Sequence, residues 1–217
     1  FAFLLLFLSF PNLTKLKITK SCSGCLLTGV KLNSADLTGA DLTGANLTGA
    51  NLSRANLTNA DLSNANLEGV DLTNIVLNET ILSFANLTNV KLDGVDLSNK
   101  DLTGTVFNNV DFSKVDLKNI NFSGSILKNV DFRNNDLTGT ILTFSNLIGS
   151  NLDGVELNNK DLTRASLNEL NLSNKDLSNT ILNYANLSGA NLDGVKLSSK
   201  SLNGAIFNDV DFSRVDL

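Results

Sequence analysis

Residues 35–62 read ADLTGADLTGANLTGANLSRANLTNADL, and the spacing of their leucines decides the fold. The same beat extends in both directions, so that every fifth residue from Leu27 to Leu217 is Leu or Phe without an insertion. Five suits neither regular element. On an α-helix five residues advance about 500°, which would scatter the leucines around the cylinder. On a strand an odd step sends successive side chains to opposite faces. The leucines share one side only if the chain changes direction once per repeat, as a short extended piece followed by a corner.

Composition marks the corner. All fifteen glycines fall two residues after the beat, and Asn59, Asn64, Asn74 and Asn99 fall there too. Gly and Asn tolerate the turn dihedrals that other residues resist. Two residues before each beat lies a second inward slot, small or β-branched, as in Ala40, Ala45, Ala50, Val70, Ile75 and Val95. The remaining positions are mostly Asp, Asn, Ser and Thr and face water. This inside-outside pattern predicts a tube with a single Leu and Phe core.

Longer self-similarity gives the size of one coil. The segment beginning at Ile81 recurs at Ile141 and Ile181, and VFNNVDFSKVDL at Val106 returns as IFNDVDFSRVDL at Ile206. These offsets are multiples of twenty residues. Ten would divide them as well, but ten residues cannot enclose a filled core, so one coil takes twenty residues on four sides.

The stretch 35–62 resembles the pentapeptide-repeat family, whose consensus is A(D/N)LXX, and the match covers about nine-tenths of the chain. The resemblance implies an all-β fold, a right-handed quadrilateral parallel β-helix, a hand also expected of parallel crossovers. About ten coils at a strand spacing of ~4.8 Å would make a rod roughly 47 Å long. The unbroken register predicts one β-helical domain over 21–217. Its stop in the middle of a repeat predicts a piece of a longer protein, because a solenoid needs a terminal cap.

Residues 1–20 differ in kind. FAFLLLFLSF at the start is too short to span a bilayer but matches the apolar centre of a secretory signal. It reads as a truncated signal peptide, with a core-capping or tail segment as the other reading. Cys22 and Cys25 form a C-x-x-C in which Cys22 takes the beat and Cys25 the inward slot. They are plain core residues of the first coil, or a disulfide if the compartment oxidises. Zinc is disfavoured because the chain has no His and a site needs four ligands. Secreted and lumenal members of the family resemble this start, which implies a secreted, periplasmic or thylakoid-lumenal protein, or a cytoplasmic one if the segment is no signal.

Three outward or polar patterns are candidates for function. In steps of twenty, Asp96, Asp116, Asp136, Glu156 and Asp176 stand in one column. Either they are repeat consensus or, as like charges ~5 Å apart, they recruit a cation or a basic partner. Lys100, Lys160, Lys175 and Lys200 occupy the inward slot, where an unpaired ammonium is expensive, so their stems are expected to bend toward carbonyls or Asp at the corners. Phe84, Phe144 and Tyr184 share an outward column, too widely spaced along the axis to make one continuous surface.

Nothing in the chain assembles catalysis. Without His the usual general base is missing, and the carboxylates are repeat-spaced instead of convergent; neither an enzyme nor a cofactor is expected. The formal charge is −5, and the 14 bases that remain after Lys15, Lys17 and Lys20 face 22 acids. Direct nucleic-acid binding is therefore disfavoured. The leading expectation is a structural or interaction solenoid that presents a polar repetitive surface to a protein partner. The alternative, implied by the family resemblance, is a DNA-mimicking modulator of a type II topoisomerase (gyrase).

Overall fold

In most coils the Leu beat is followed by a tight turn whose third residue has positive φ. Gly44 (φ 63°) and Asn64 (φ 59°) show the two usual solutions. The turn closes by a hydrogen bond from the fourth residue's N–H to the beat residue's carbonyl, as in Ala45 N–H to Leu42 O at 2.9 Å. Positive φ at the third position with this closure is a type II turn. In this computed structural model residues 11–198 and 200–217 are described. The signal-like stretch 1–10 lies outside them.

Between turns the chain pairs with the coil twenty residues on. Ser21 bridges Asp41, Leu26 bridges Asn46, Lys31 bridges Asn51 and Asp36 bridges Asn56, all in parallel. Each bridge rests on a pair of main-chain bonds, such as Leu42 N–H to Asp61 O at 2.8 Å and Asp61 N–H to Ala40 O at 2.9 Å. Among the described residues a bridged side contributes one bridged residue instead of a longer strand. A turn after every beat leaves no room for more.

The chain divides into two compact units, one ending at Asp96 and the other Leu97–Leu217. In the first unit helix α1 (Pro11–Thr19) precedes the coils. Proline suits a first helical position, where its missing N–H is not needed. The helix ends as Lys20 turns to φ 56° and its N–H returns to Leu16 O at 2.9 Å, a left-handed cap. Leu16 is fully buried, and Asn12 Nδ2 donates to Leu26 O at 3.2 Å. The helix thus covers the apolar end of the first coil, with Lys20 Nζ 3.0 Å from Asp36. Below it Leu37 to Leu67 and Ala40 to Ala65 fill the interior. Each fully buried leucine contributes about 1.5–3 kcal/mol.

In the second unit the filling changes. Phe107, Phe112, Phe122 and Phe132 are fully buried and pack with ring centroids 5.1–5.9 Å apart. Buried hydroxyls are satisfied locally: Thr105 Oγ1 and Ser125 Oγ donate to Leu102 O at 2.6 and 2.7 Å.

Candidate functional site

The acidic column is built from the same corner chemistry as the rest of the coil. An Asp or Asn just before the beat accepts a hydrogen bond from the N–H two residues on, as Asn46 does from Thr48 at 3.0 Å. This side-chain turn is the reason Asp and Asn recur there. Asp116 accepts from Lys118 N–H at 3.1 Å. Asp136 accepts from Thr138 N–H at 2.9 Å and from its hydroxyl at 2.6 Å. Asp176 takes the same two donors from Ser178. Glu156, one methylene longer, makes no such bond among the described residues. Asp96 lies at the end of the first unit and the other four in the second.

These bonds hold the carboxyls acidic. The Thr138 hydroxyl and N–H lower Asp136, with a smaller effect from Lys118 at 3.4 Å. Ser178 does the same for Asp176. In the first unit Thr38, followed by Lys20, brings Asp36 down to about 2 from 3.8. A carboxyl lowered by folding adds stability above its unfolded value, and that contribution is lost as pH falls through the folded value. Between about pH 5 and about pH 2 the urea midpoint should therefore drop. The triple change Asp36→Asn, Asp136→Asn and Asp176→Asn keeps the acceptor and should flatten that drop. An unchanged acid slope in the triple variant would show that these bonds are not formed.

What distinguishes the column is the backbone behind it. Among the described residues of the second unit no parallel bridge joins Asp116, Asp136, Glu156, Asp176 and Lys196 in series, whereas Val106 to Ile206, ten residues earlier in each coil, is bridged at every step. Two side chains in the inward slot take carbonyls from this ladder. Asn135 Nδ2 donates to Phe112 O and Val115 O, both at 3.0 Å. Lys175 Nζ donates to Leu152 O and Val155 O at 2.8 and 2.9 Å. Val115 O and Val155 O are the carbonyls that the N–H groups of Asp136 and Asp176 would take in a regular ladder. Thr140 and Thr180 hydroxyls reach Leu117 O and Leu157 O at 2.7 and 2.8 Å, and Lys160 Nζ reaches Leu137 O. Burial lowers the Lys160 ammonium below its ordinary value, and Asp136 counters part of that effect.

The opening alternates. Asn119 N–H to Thr138 O at 2.9 Å and Asn159 N–H to Ser178 O at 2.8 Å still tie two of the junctions at the turn. The equivalent bonds from Gly139 to Asn158 and from Asn179 to Ser198 are missing. At these junctions the coils part into two clefts related by forty residues. One, about 470 Å³, is lined by Asn135, Asp136, Glu156 and Lys160. The other, about 460 Å³, is lined by Lys175, Asp176, Lys196 and Lys200. Both are polar and shallow-walled by turns. They hold carboxylates, ammonium groups and released main-chain groups, with the Thr138 and Ser178 hydroxyls bonded to Asp136 and Asp176. Among the described residues no three His, Cys, Asp or Glu side chains meet in a way that could hold a metal ion.

Cys22 and Cys25 are buried at the first coil, and the structure joins them in a disulfide with Cα atoms 5.2 Å apart, inside the span such a bond allows. The expectation of a broken aromatic column needs correction in the second unit. Arg164, in the coil between them, places its Cζ 5.4 Å from the Phe144 ring centre and 5.3 Å from that of Tyr184, making one stack. Spacing of aromatics alone missed it; an Arg midway between them was the available signal. No helix among the described residues is long and apolar enough to cross a membrane.

Comparison with known proteins adds the following. A family model described as pentapeptide repeats matches residues 21–59, 55–94 and 161–198, and one described as a pentapeptide repeat region matches 85–162. No curated protein matches the chain. Among solved structures it is similar to HetL, a pentapeptide repeat protein involved in heterocyst differentiation regulation from the cyanobacterium Nostoc, at 30% identity over 90% of this chain and 88% of that one, with a TM-score of 0.37. Rfr23 from the cyanobacterium Cyanothece is 26% identical over 71% of this chain and 96% of its own, with a TM-score of 0.29. A trypsin-treated form of QnrB1, a plasmid-mediated fluoroquinolone resistance protein, is 18% identical over 86% and 90%, with a TM-score of 0.31.

Proposed function

Because this chain belongs to the pentapeptide-repeat family, whose fold is a right-handed β-helix, we propose that it is a non-enzymatic interaction solenoid, wound as a quadrilateral of about ten coils. Its polar, repetitive surface meets a protein partner, and the face from Asp116 to Lys196 is the one it offers. The observation that carries this reading is the pair of clefts at 136/156 and 176/196. Each exposes main-chain groups that a regular coil would hide in its ladder. Unpaired ladder groups are what a second chain can pair with. The same donors and acceptors recur at a distance of two coils, roughly 10 Å, which suits a partner long enough to engage both clefts.

The compartment belongs to the same proposal: secreted, periplasmic or thylakoid-lumenal. The signal-like start supports it, and so does the Cys22–Cys25 disulfide, a bond that oxidising compartments preserve. The test is a photo-crosslinking residue placed at Asn158 or Ser178, in the full chain, in extract of that compartment, with cysteine alkylation read in the same sample. The expected result is one discrete adduct from the cleft positions and none from Lys128 on another side, with both cysteines protected from alkylation. Equal, diffuse adducts from all positions would sink the interaction face, and freely alkylated cysteines the compartment. Inhibition of a type II topoisomerase in a supercoiling assay at submicromolar protein would replace the proposal with the DNA-mimic reading.

A further inference from the structure

The second unit carries another surface, on a different side from the clefts, whose chemistry selects its ligand more narrowly. Phe144, Arg164 and Tyr184 occupy the positive-φ corner of successive coils, at φ 61°, 58° and 58°. Most corners hold Gly or Asn, because a bulky side chain in this conformation is strained. An aromatic, an arginine and an aromatic on consecutive corners therefore run against the local preference three times over. Gly204 continues the column, and a Cβ there would collide with the Tyr184 ring.

The stack leaves large apolar area in water. Phe144 and Tyr184 are each 55% exposed, and Ile141 and Ile181, three residues before them, are 46% and 39% exposed. Asp161 stands between the two isoleucines on the coil of Arg164, its carboxylate occupied by Thr163 N–H at 2.9 Å. Arg164 itself has no carboxylate within ion-pair distance among the described residues, unlike Arg133, paired with Asp131 at 2.6 Å, and Arg214, 3.5 Å from Asp193. With its Cζ set over a ring on either side, Arg164 offers its N–H edge. That edge fits a planar acceptor that takes two parallel hydrogen bonds.

We propose that Ile141, Phe144, Arg164, Ile181 and Tyr184 form a docking surface for a protein segment that presents an Asp or Glu carboxylate flanked by apolar side chains. The carboxylate meets the Arg164 edge in a bidentate pair, and the flanking side chains cover the rings and isoleucines. Aromatic and arginine anchors surrounded by apolar contact are the usual composition of a binding hot spot. A phosphate backbone also takes two hydrogen bonds from an arginine, but Asp161 and a net charge of −5 repel a polyanion, and the exposed apolar rim gives it nothing to bind. The surface rests on the reading of the chain as a protein-binding solenoid and is independent of the clefts.

Selection of a phage-displayed random peptide library against the immobilised full chain tests this. Enriched peptides are expected to carry Asp or Glu between apolar residues. A synthetic peptide from the leading group should bind about tenfold more weakly to Arg164→Gln, and nearly as weakly to Arg164→Lys, which keeps the charge but not the planar fork. Lys128→Gln and the pair Asp136→Asn, Asp176→Asn should leave its affinity unchanged, which separates this surface from the acidic face. Circular dichroism and urea midpoints matching wild type establish that the variants are folded. Three outcomes overturn the proposal: enriched peptides without a carboxylate, wild-type affinity in Arg164→Lys, or displacement of the peptide by an equal concentration of a single-stranded oligonucleotide.

Discussion

Phe112→Ala is expected to lower the free energy of unfolding by about 3–5 kcal/mol, the cost of truncating a buried aromatic that its surroundings cannot replace. Phe112 is fully buried and lies 5.1 Å from Phe107, 5.9 Å from Phe122 and 5.5 Å from Phe132, centroid to centroid. Phe107 and Phe122 also meet each other at 5.9 Å, edge to face. Removing the shared ring breaks three aromatic contacts, each worth about 0.5–1.5 kcal/mol beyond the area it buries. The closed turns on either side hold the backbone in place, so the void stays. Leucine occupies this beat in most coils, so Phe112→Leu should cost about 2 kcal/mol, the lost ring contacts without most of the void. Urea denaturation of the two variants measures both numbers. Equal, small losses in the two would mean that the rings are not packed as a cluster.

Stability in a solenoid is close to a sum of coil and interface contributions, so the effect should also be local. Amide exchange is expected to rise for the coils around Phe112 and Phe132, and to stay near wild type for those around Leu167 and Leu187.

The features legible in the sequence are those set by one coil's own sterics. The five-residue beat places Leu and Phe inside because each turn resets the chain, and Gly44 or Asn64 announces the turn by what φ it tolerates. The twenty-residue spacing of bridges follows from the offsets of duplicated segments. Features that depend on what a side chain reaches in the next coil were hidden. The inward positions of Lys160 and Lys175 predicted that their ammonium groups would seek carbonyls, but not that Lys175 would take Val155 O from the ladder itself, nor that the coil would open there. Arg164 looks like one more polar corner until its reach to both rings is seen. Leu16 sits in a stretch with three lysines and no beat, so nothing local marks it as the residue that covers the first coil.

Asn135→Val is expected to stabilise the protein by about 1–2 kcal/mol, an unusual sign for removing two hydrogen bonds. The Asn135 side chain is buried, and while Nδ2 has its two carbonyls, Oδ1 has no protein donor. A buried acceptor left in this state costs about 1–3 kcal/mol. Valine is the residue found one coil away on either side, at Val115 and Val155, so the slot fits it. Of the two carbonyls released, Phe112 O still accepts from Val115 N–H at 2.9 Å. Val115 O becomes free to take Asp136 N–H, the bond a regular ladder would have placed there. The bridge between Asp116 and Asp136 should then form, slowing exchange of the Asp136 amide relative to wild type. A destabilised variant with no new amide protection would show that Asn135 holds the coil together instead of keeping it open. If the variant is more stable and the cleft crosslink at Asn158 disappears with it, then the polar slot serves binding at the expense of stability, as expected where a sequence breaks its own local rule.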